Sequence, residues 1–418
     1  MIDLVRLRDE PAYRAGIERK RVAAGLVDDL VAADTARREL LTQVEQLRAR
    51  QNAASKEIGR AAPEDRPAKI EAASVLKAEL TALEPALAAA EERTRSLALQ
   101  VPNPADASVP DGGEDDGVVL RVVGDTIEAP PLDHAAFGEA MGFVETEAAT
   151  AMSGSRFAYL MREAVLVELA LVQWTSRVLV DAGFTPVAPP VLVREHAMEE
   201  AGFFPTDRAQ VYEVDDGELF LVGTSEVPLS ALHRGATFDA DALPARYFGV
   251  SSCFRREAGT YGKDTTGIFR VHQFDKVEMF AYADPSTSWD VHEELLAIEE
   301  HLLGELALPY RVVNIAAGDL GAAAAKKYDL EVWLPSEGRY RELTSCSNYL
   351  DYSARRLGTR VRGEHGNELV HTLNGTACAI GRTLVFLFEH YQQADGSFEV
   401  PTVLRPYLGG IERVDPPR

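Results

Sequence analysis

The strongest constraint on the fold is a pair of apolar seams in and around residues 28–100, where apolar residues recur every three or four positions. This spacing places side chains on one side of a helix, so each seam predicts one long helix. Between the seams, residues 59–67 (GRAAPEDRP) contain the glycine and prolines that end helices and reverse the chain. Together they predict an antiparallel helical hairpin, packed as a coiled coil over about residues 28–100. The seams consist of Leu26, Leu30, Ala33, Leu40, Val44, Leu47, Ala54 and Ile58, and of Ala73, Leu76, Leu80, Leu83, Leu87, Ala90, Thr94, Leu97 and Val101.

The predicted hairpin is rich in alanine and charge, so it can bury little beyond its own seam. At about 1.5 Å per residue, helices of this length reach on the order of 45–50 Å into solvent. Two interpretations stay open on the pattern alone: a dimerisation coiled coil, and a projecting arm that holds a large partner.

Net charge separates this segment from the rest of the chain. The whole chain carries −23, which argues against general affinity for nucleic acids, DNA included. Residues 28–100 hold 11 Lys/Arg and 13 Asp/Glu and are therefore close to neutral. The overall acidity does not argue against an RNA contact in this segment.

The remaining chain has a different character. Residues 102–117 (PNPADASVPDGGEDDG) predict a linker between an arm of residues 1–101 and a larger domain of residues 118–418. Short apolar runs alternate with helical ones in that domain, which predicts an α/β or α+β fold with antiparallel hairpins. The predicted strands are 118–123, 219–222, 246–250, 269–274, 277–282 and 310–315, and the predicted helices are 163–181, 289–306 and 376–392.

Cysteine use and the N-terminal residues predict a cytoplasmic protein. Cys253, Cys346 and Cys378 are far apart and form no CxxC pair, so neither a disulfide framework nor a thiolate zinc site is indicated. The first residues alternate charged and apolar types, unlike a signal peptide, and no apolar run approaches membrane-spanning length.

Residues 253–280 predict a strand, a polar loop and a second strand. Arg255, Glu257, Lys263 and Arg270 lie at the strand ends and in the loop. Cations beside a glycine-containing loop suit a polyphosphate. Charged tips are also common on ordinary hairpins, and this stretch alone does not decide between the two.

Two further clusters contain groups suited to a small ligand. Thr224, Ser225 and Glu226 follow an apolar strand and could hold an ammonium group, although a helix N-cap before Pro228 is the simpler interpretation. Glu342 and Ser345 lie three residues apart, so their oxygens could share a hard cation such as Mg²⁺.

Arg382 lies in an otherwise apolar run and needs an anionic partner. A bound phosphate would supply one, and so would Glu389 or another acid. Neither GxGxxG nor GxxxxGK[ST] occurs in the sequence, so any ATP would bind by another route.

The ordered set of motifs closely resembles the bacterial seryl-tRNA synthetases. After the helical hairpin come TSE (224–226), FRRE (254–257), RVHQFDKVE (270–278), ELTSCSN (342–348) and NGTACAIGR (374–382). The resemblance runs from Met1 to PYLGG (406–410). It implies an α+β class II synthetase that works as a homodimer: a helical arm, and an antiparallel six-stranded sheet flanked by helices. Residues 183–190 (GFTPVAPP) are similar to the dimer-interface motif of that class.

The resemblance also implies ligands for individual residues. Arg255 and Arg382 would be the catalytic residues, on the α- and γ-phosphates, and Phe274 would stack on adenine. Glu342 and Ser345 would hold Mg²⁺. The implied serine-binding residues are Thr224, Ser225, Glu226, Glu278 and Thr376, and the implied ATP-binding residues are Arg255, Arg256, Glu257, Arg270, Val271, Phe274, Glu342, Leu343, Thr344, Ser345 and Arg382.

The implied activity is that of a serine–tRNA ligase. L-serine and ATP would give seryl-adenylate and pyrophosphate, and serine would then pass to the terminal adenosine of tRNA(Ser), held by the arm, with tRNA(Sec) as a further candidate. The alternatives are a specialised paralogue, resistant to an inhibitor or supplying a biosynthetic pathway, and a tRNA-independent enzyme that activates a small amino acid. Thr266, Tyr349, Tyr352 and Ser353 depart from the residues usual in the family.

Overall fold

A computed structural model describes residues 1–259, 266–363 and 366–417. The chain divides into two compact units, Met1–Pro102 and Asn103–Arg418. Lys263, predicted as a cation of the polar loop, lies outside the described residues. In the described ranges, no helix is both long enough and apolar enough to cross a membrane.

The first unit consists of two short helices followed by the predicted hairpin. Its helices are α1 (Leu4–Asp9), α2 (Pro11–Glu18), α3 (Leu26–Arg60) and α4 (Arg66–Gln100). The ion pairs Arg48–Glu84 and Lys69–Glu57 join α3 to α4 in antiparallel register. The buried seam contains Val44, Leu47, Leu80 and Leu87, with Leu40, Leu41, Leu76 and Leu83 packed around it. The helical hairpin predicted from the spacing of apolar residues is therefore confirmed.

A buried aspartate explains why the charged Arg37 occupies the position between Ala33 and Leu40 in the first seam, where an apolar residue would be expected. Asp34 is 1% exposed and pairs with Arg8 at 2.7 Å, Arg37 at 2.6 Å and Arg38 at 3.2 Å. Burial alone would raise the pKa of Asp34, but the hydrogen bonds from Arg37 and Arg8 outweigh it and lower that pKa. Arg37 therefore stands in the seam as the partner of a buried carboxylate.

The second unit is built on a sheet that has eight strands in the described residues. They are β1 (Val118–Val123), β2 (Thr185–Val187), β3 (Ala245–Phe254), β4 (Gln273–Ala283), β5 (Tyr310–Asn314), β6 (Lys326–Leu334), β7 (Arg339–Asn348) and β8 (His371–Ala379). Their spatial order is β1-β5-β6-β7-β8-β4-β3-β2. All neighbours are antiparallel except β2 and β3, which are parallel.

The predicted number of six strands is too small for this sheet. Strands β3 to β8 form the expected antiparallel set, and β1 and β2 extend it at the two edges. The edge strand β2 has only three residues and contains Pro186, which an edge position tolerates because one side of the strand needs no donor. A strand this short carries almost no periodic signal.

Helices and short strands complete the second unit. The helices are α5 (His134–Ala140), α6 (Glu147–Ser153), α7 (Glu163–Asp181), α8 (Glu195–Ala201), α9 (Glu226–Ala231), α10 (Ser288–Glu305), α11 (Tyr352–Leu357) and α12 (Ile380–Tyr391). The short strands are Val144–Glu145, Tyr159–Leu160, Leu192–Val193, Glu213–Val214, Leu219–Leu221, Thr237–Phe238, Arg360–Gly363, Gly366–Leu369, Phe398–Glu399 and Arg413–Val414. Apolar residues of α7, α10 and α12, including Leu171, Leu295 and Phe386, form the main core with the sheet.

Two predicted elements have wrong boundaries. The strand predicted at 269–274 begins only at Gln273, and Phe269 is buried by side-chain packing within a turn region. The helix predicted at 376–392 begins at Ile380, because Thr376 pairs with Glu278 as part of β8. A short apolar run is compatible with either a helix or a strand. At residues 376–379, pairing with β4 makes the run a strand.

The segment predicted as a linker packs within the second unit from Asn103 onwards. The Asn103 side-chain amide donates to the carbonyls of Ala323 at 2.9 Å and Tyr349 at 2.8 Å. Ala105 and Val109 are buried in a small apolar cluster. A composition rich in Pro, Gly and Asp indicates irregular backbone, but it does not determine whether that backbone is packed.

Candidate active site

A cavity of about 260 Å³ lies over the middle of the sheet and is lined by residues of β4, β6, β7 and β8. Side chains two residues apart on a strand point to the same face, so Phe274, Lys276 and Glu278 all reach the cavity from β4. The antiparallel register then places Thr376 of β8 opposite Glu278. Residues as far apart in the chain as Phe203 and Arg382, 179 positions, thus share one site.

One part of the cavity, here called the acidic part, contains Glu226, Glu278, Lys276 and Thr376. All four side chains are buried. Oε2 of Glu278 accepts a hydrogen bond from the Thr376 hydroxyl at 3.2 Å and contacts the Lys276 ammonium. Two carboxyl groups face only one ammonium here, so when both are ionised the negative charge exceeds the positive charge by one. A second cationic group, such as the ammonium of a small ligand, would balance it.

Burial and charge act on Glu226 in the acidic part. Burial raises the pKa of Glu226 to about 8, and Glu278 adds to that rise, whereas Lys276 and the Tyr349 hydroxyl act in the opposite direction. Without a ligand, this carboxyl therefore binds a proton near neutral pH. A cationic ligand would replace that proton.

Only two of the three residues in the predicted Thr224–Glu226 cluster line the cavity. Thr224 and Glu226 line the cavity, and the Thr224 hydroxyl accepts from the Glu226 main-chain N–H at 3.3 Å. Ser225 is at the N-cap position of α9 but makes no side-chain cap hydrogen bond. Its buried hydroxyl lies against Gly249, where a Cβ atom would come within 2.6 Å of it. Ser225 therefore does not line the cavity.

A second, basic part of the cavity is lined by Arg255, Arg270, Lys327 and Arg382. Its main acid is Glu342. Oε2 of Glu342 lies 3.4 Å from Nη1 of Arg382, and Oε1 lies 3.7 Å from Nζ of Lys327. Burial opposes ionisation of Glu342, but Lys327, Arg382 and Arg255 together lower its pKa to about 2. Cationic side chains outnumber acidic ones in this part of the cavity, as binding of a polyphosphate would require.

The acid partner of Arg382 is Glu342, and not Glu389. Nη1 of Arg382 donates to the Glu342 carbonyl at 3.1 Å, and the guanidinium is partly exposed to the cavity. Glu389 instead accepts from His134 and Ser336. Arg382 therefore has a structural partner and also a face open to a ligand.

Arg255, Phe274 and Glu257 form the neighbouring wall. The Arg255 guanidinium lies 5.3 Å from the centre of the Phe274 ring, and its Nε donates to the Gly223 carbonyl at 3.2 Å. Glu257 accepts from Arg270 at 2.6 Å. An aromatic face beside charged groups suits a base joined to phosphates.

Most of the remaining predicted ligand residues also reach the cavity. Val271, Leu343 and Ser345 line it, whereas Arg256 and Thr344 do not. The Thr344 hydroxyl instead donates to the buried Glu299 at 3.0 Å. Among the departures from the family pattern, Tyr349 lines the cavity, while Tyr352 and Ser353 are buried in α11 and do not.

The sequence motifs did not single out Lys276, Lys327, Tyr349 or Asn374 as ligand residues, although all four line the cavity. Lys276, Tyr349 and Asn374 lie within or beside the motifs. Lys327 lies on β6, where its ammonium pairs with Asp329 at 2.8 Å. A lysine at a polar strand position carries no signal that separates it from a surface lysine.

The oxygens of Glu342 and Ser345 fit a hard cation. The lowered pKa keeps the carboxylate ionised, and both residues line the cavity from β7. Within the described ranges, no group of three or more His, Cys, Asp or Glu side chains could hold a metal. Mg²⁺ is commonly held by one or two protein ligands together with substrate phosphates and water, so this small donor set is sufficient.

Fold and site agree with comparisons to known proteins. Residues 210–391 match the family model of the tRNA synthetase class II core domain (G, H, P, S and T). A solved seryl-tRNA synthetase of Pyrococcus horikoshii, complexed with ATP, superposes with a TM-score of 0.93 at 36% identity over 100% of both chains. The antiparallel sheet with a basic and an acidic pocket is thus that of a class II aminoacyl-tRNA synthetase.

Sequence similarity over the full length identifies one family within the class II synthetases. Residues 1–105 match the seryl-tRNA synthetase N-terminal domain. The chain is 46% identical to serine–tRNA ligase 1 of Streptomyces avermitilis, over 100% of this chain and 99% of the relative. It is 48% identical to the serine–tRNA ligase of Acidothermus cellulolyticus over 98% of both. The chain belongs to the seryl-tRNA synthetase family.

Proposed function

We propose that this enzyme is a serine–tRNA ligase. It activates L-serine with ATP to give seryl-adenylate and pyrophosphate, and it transfers serine to the 3′-terminal adenosine of tRNA(Ser). The observation that carries the proposal is the single cavity in which an acidic part, suited to a small ammonium ligand, adjoins a basic part suited to a triphosphate. Charging of tRNA suggests the cytoplasm as its location.

The acidic part recognises serine. Thr224 and Glu226 hold the ammonium, and Glu278 and Thr376 hydrogen-bond the hydroxyl. The existing bond between Thr376 and Glu278, at 3.2 Å, keeps both groups oriented before serine enters. Alanine would leave these buried groups unpaired, and sites of this design reject such analogues by roughly 10⁴-fold. Ser225 supports the pocket from behind.

The basic part binds ATP. Arg255 contacts the α-phosphate, Arg382 contacts the γ-phosphate, and Phe274 stacks on adenine next to Glu257. Arg270 supports Glu257 through their ion pair at 2.6 Å. Val271 and Leu343 line the same wall. Arg256 and Thr344 do not line the cavity, so we assign them no direct contact with ATP.

The chemistry requires no protein nucleophile. The serine carboxylate attacks the α-phosphorus in line, and pyrophosphate leaves. Arg255 and Arg382 hold the phosphates and neutralise charge as it moves to the leaving group. Glu342 and Ser345 would hold Mg²⁺, which when bound offsets further phosphate charge. The 3′-hydroxyl oxygen of tRNA then attacks the carbonyl carbon of the adenylate, the seryl ester forms, and AMP leaves.

The helical hairpin α3–α4 is the arm that binds tRNA(Ser). The match of residues 1–105 to the seryl-tRNA synthetase N-terminal domain favours this role over a dimerisation coiled coil. We take residues 1–101 as the arm and residues 118–418 as the catalytic domain. tRNA(Sec) is a second candidate substrate, to be tested in the same charging assay.

A homodimer is formed through the catalytic domain. On α7, Leu166 and Leu169 are 45% and 51% exposed, which is unusual for leucines on one helix face. The edge strand β2, within residues 183–190, leaves main-chain groups free for a partner. Sedimentation velocity should find a species of twice 45.6 kDa, and a monomer at micromolar concentration would overturn this assembly.

Pyrophosphate exchange followed by tRNA charging tests the function. We expect serine-dependent exchange of pyrophosphate into ATP and charging of tRNA(Ser). Absence of exchange with every small amino acid would overturn the enzyme proposal. Exchange without charging would instead identify a tRNA-independent enzyme. Normal charging in the presence of a serine-mimicking inhibitor would identify a resistant paralogue.

The affinity for serine should depend on pH through Glu226. Its pKa of about 8 means that the carboxyl is mostly protonated at neutral pH in the free enzyme, and serine's ammonium requires the ionised form. We therefore expect KM for serine to fall by up to about tenfold per pH unit from about pH 6 to about pH 8, and then to level off.

The matched variant for this experiment is Glu226→Gln, which keeps the size of the side chain but does not titrate. Its KM for serine should be high and flat over the same range. The charged groups that face Glu226 are Glu278 and Lys276, both on β4. A flat profile in the wild-type enzyme would mean that Glu226 is already ionised at pH 6, and an unchanged KM for serine in Glu226→Gln would exclude Glu226 as the ammonium ligand.

A further inference from the structure

Gln210 holds the first residues after strand β3 although it does not line the cavity. It ends a short 3₁₀ turn, Arg208–Gln210. Its main-chain carbonyl accepts from the N–H of Arg256 at 2.8 Å. Its side-chain amide makes a reciprocal pair with Ala258: Oε1 accepts from the Ala258 N–H at 3.0 Å, and Nε2 donates to the Ala258 carbonyl at 3.0 Å. Gln210 therefore binds both neighbours of Glu257.

Glu257 needs such support because of its backbone conformation. Its φ is +49°, in the left-handed region that non-glycine residues rarely occupy. On the β3 side, the Arg255 N–H donates to the His272 carbonyl at 2.9 Å. The strained residue is thus anchored from His272 on one side and from Gln210 on the other.

The conformation of Glu257 determines where two cavity groups point. Its carboxylate meets Arg270 at 2.6 Å, and Arg255, two residues earlier, lines the same wall. If the Ala258 anchor is lost, Glu257 can relax to negative φ, which redirects its side chain. The groups that would then shift belong to the basic part of the cavity and not to the acidic part.

We propose that Gln210 is a positioning residue for the nucleotide: its paired hydrogen bonds to Ala258 hold Glu257 and Arg255 in the geometry that binds ATP. This proposal rests on the proposed function, because it assigns the basic part of the cavity to ATP.

The variant Gln210→Ala tests the proposal by removing both side-chain bonds. We expect KM for ATP in pyrophosphate exchange to rise by roughly tenfold, because two hydrogen bonds that hold a strained segment are lost. The dissociation constant of a non-hydrolysable ATP analogue should rise in parallel. KM for serine should stay within about twofold, since no serine ligand is attached to this segment.

The isosteric variant Gln210→Glu separates positioning from a general effect on folding. At neutral pH its carboxylate replaces the donor and faces the Ala258 carbonyl, so KM for ATP should rise as in Gln210→Ala. An ordinary glutamate titrates near 4.3, so this side chain is ionised at neutral pH. Because Gln210→Glu keeps the size of the side chain and its acceptor for the Ala258 N–H, a rise in KM for ATP isolates the loss of the donated bond.

A matched control is Gln392→Ala. Gln392 makes the same reciprocal pair with the main chain of Leu132, at 3.2 Å and 2.7 Å, and it does not line the cavity. Its KM for ATP should equal that of the wild type. Thermal melting of all variants verifies that each is folded.

Four outcomes would contradict either the role of Gln210 or the proposed function. An unchanged KM for ATP in folded Gln210→Ala, or an equal rise in Gln392→Ala, would overturn the role of Gln210. An unchanged KM for ATP in folded Gln210→Glu would overturn the reciprocal pairing as its basis. Absence of serine-dependent exchange in the wild type would overturn the proposed function instead.

Discussion

Replacing Glu278 with alanine is expected to lower kcat/KM for serine by roughly 10³-fold, while the dissociation constant for ATP changes by less than about threefold. Glu278 is the buried acceptor for the Thr376 hydroxyl and the partner of the Lys276 ammonium. Its removal leaves a buried donor and a buried cation without their anion, in the part of the cavity that we assign to serine. Serine-dependent exchange and nucleotide binding, measured separately, test this expectation.

Loss of stability is the alternative explanation that this experiment must exclude. Breaking a buried ion pair can cost about 3–5 kcal/mol. Glu278→Gln keeps the volume and an acceptor, so it should fold more stably than Glu278→Ala while still binding serine poorly. Glu331→Ala is a suitable control, because it breaks the Arg311 pair on the same sheet outside the cavity. Equal losses for serine and ATP in Glu278→Ala would place this carboxylate outside the serine pocket.

Shortening the helical hairpin should separate the two half-reactions. Replacing residues 44–88 by a short Gly-Ser linker joins α3 to α4 at opposed positions, as the Arg48–Glu84 pair indicates. It also retains Asp34 and its three arginine partners. We expect pyrophosphate exchange within about twofold of the wild type, because every cavity residue lies in the second unit.

Charging of tRNA(Ser) by the same variant should fall by on the order of 100-fold or more, since specific nucleic-acid contacts are typically worth about 4–10 kcal/mol. The exchange reaction serves as the internal control for folding. Charging by the full-length enzyme should also weaken as salt rises, whereas exchange should not. Charging that survives the deletion would mean that the hairpin has only a structural role.

The motifs predicted much of the site because each one is continuous in the chain. Arg255, Glu257 and Arg270 lie close together in the chain, and Glu342 and Ser345 share one strand, so their proximity follows from local geometry. Arg382 is different, because its partner is distant in the chain. Its need for an anion was clear from its apolar neighbours, but its partner could have been any acid, and Glu342 became the partner only through the fold.

Boundaries that depend on pairing were predicted less well. Residues 376–379 have the apolar character of a helix start, yet they complete β8 because Glu278 and its neighbours offer a strand to pair with. Ser225 belongs to a motif with two cavity residues, but its side chain points away. Local sequence cannot determine which way a side chain points at a turn where the backbone changes direction.

The sequence by itself determined the helical hairpin, the order of the motifs and the family, because helical periodicity and continuous motifs are properties of neighbouring residues. Only the tertiary structure decided which side chains share the cavity. Lys276, Lys327 and Tyr349 line it, and Gln210 supports it, through strand register and long-range hydrogen bonds. Those contacts join residues far apart in the chain, so their effects on the pKa of Glu226 and on the backbone of Glu257 could not be read from local spacing.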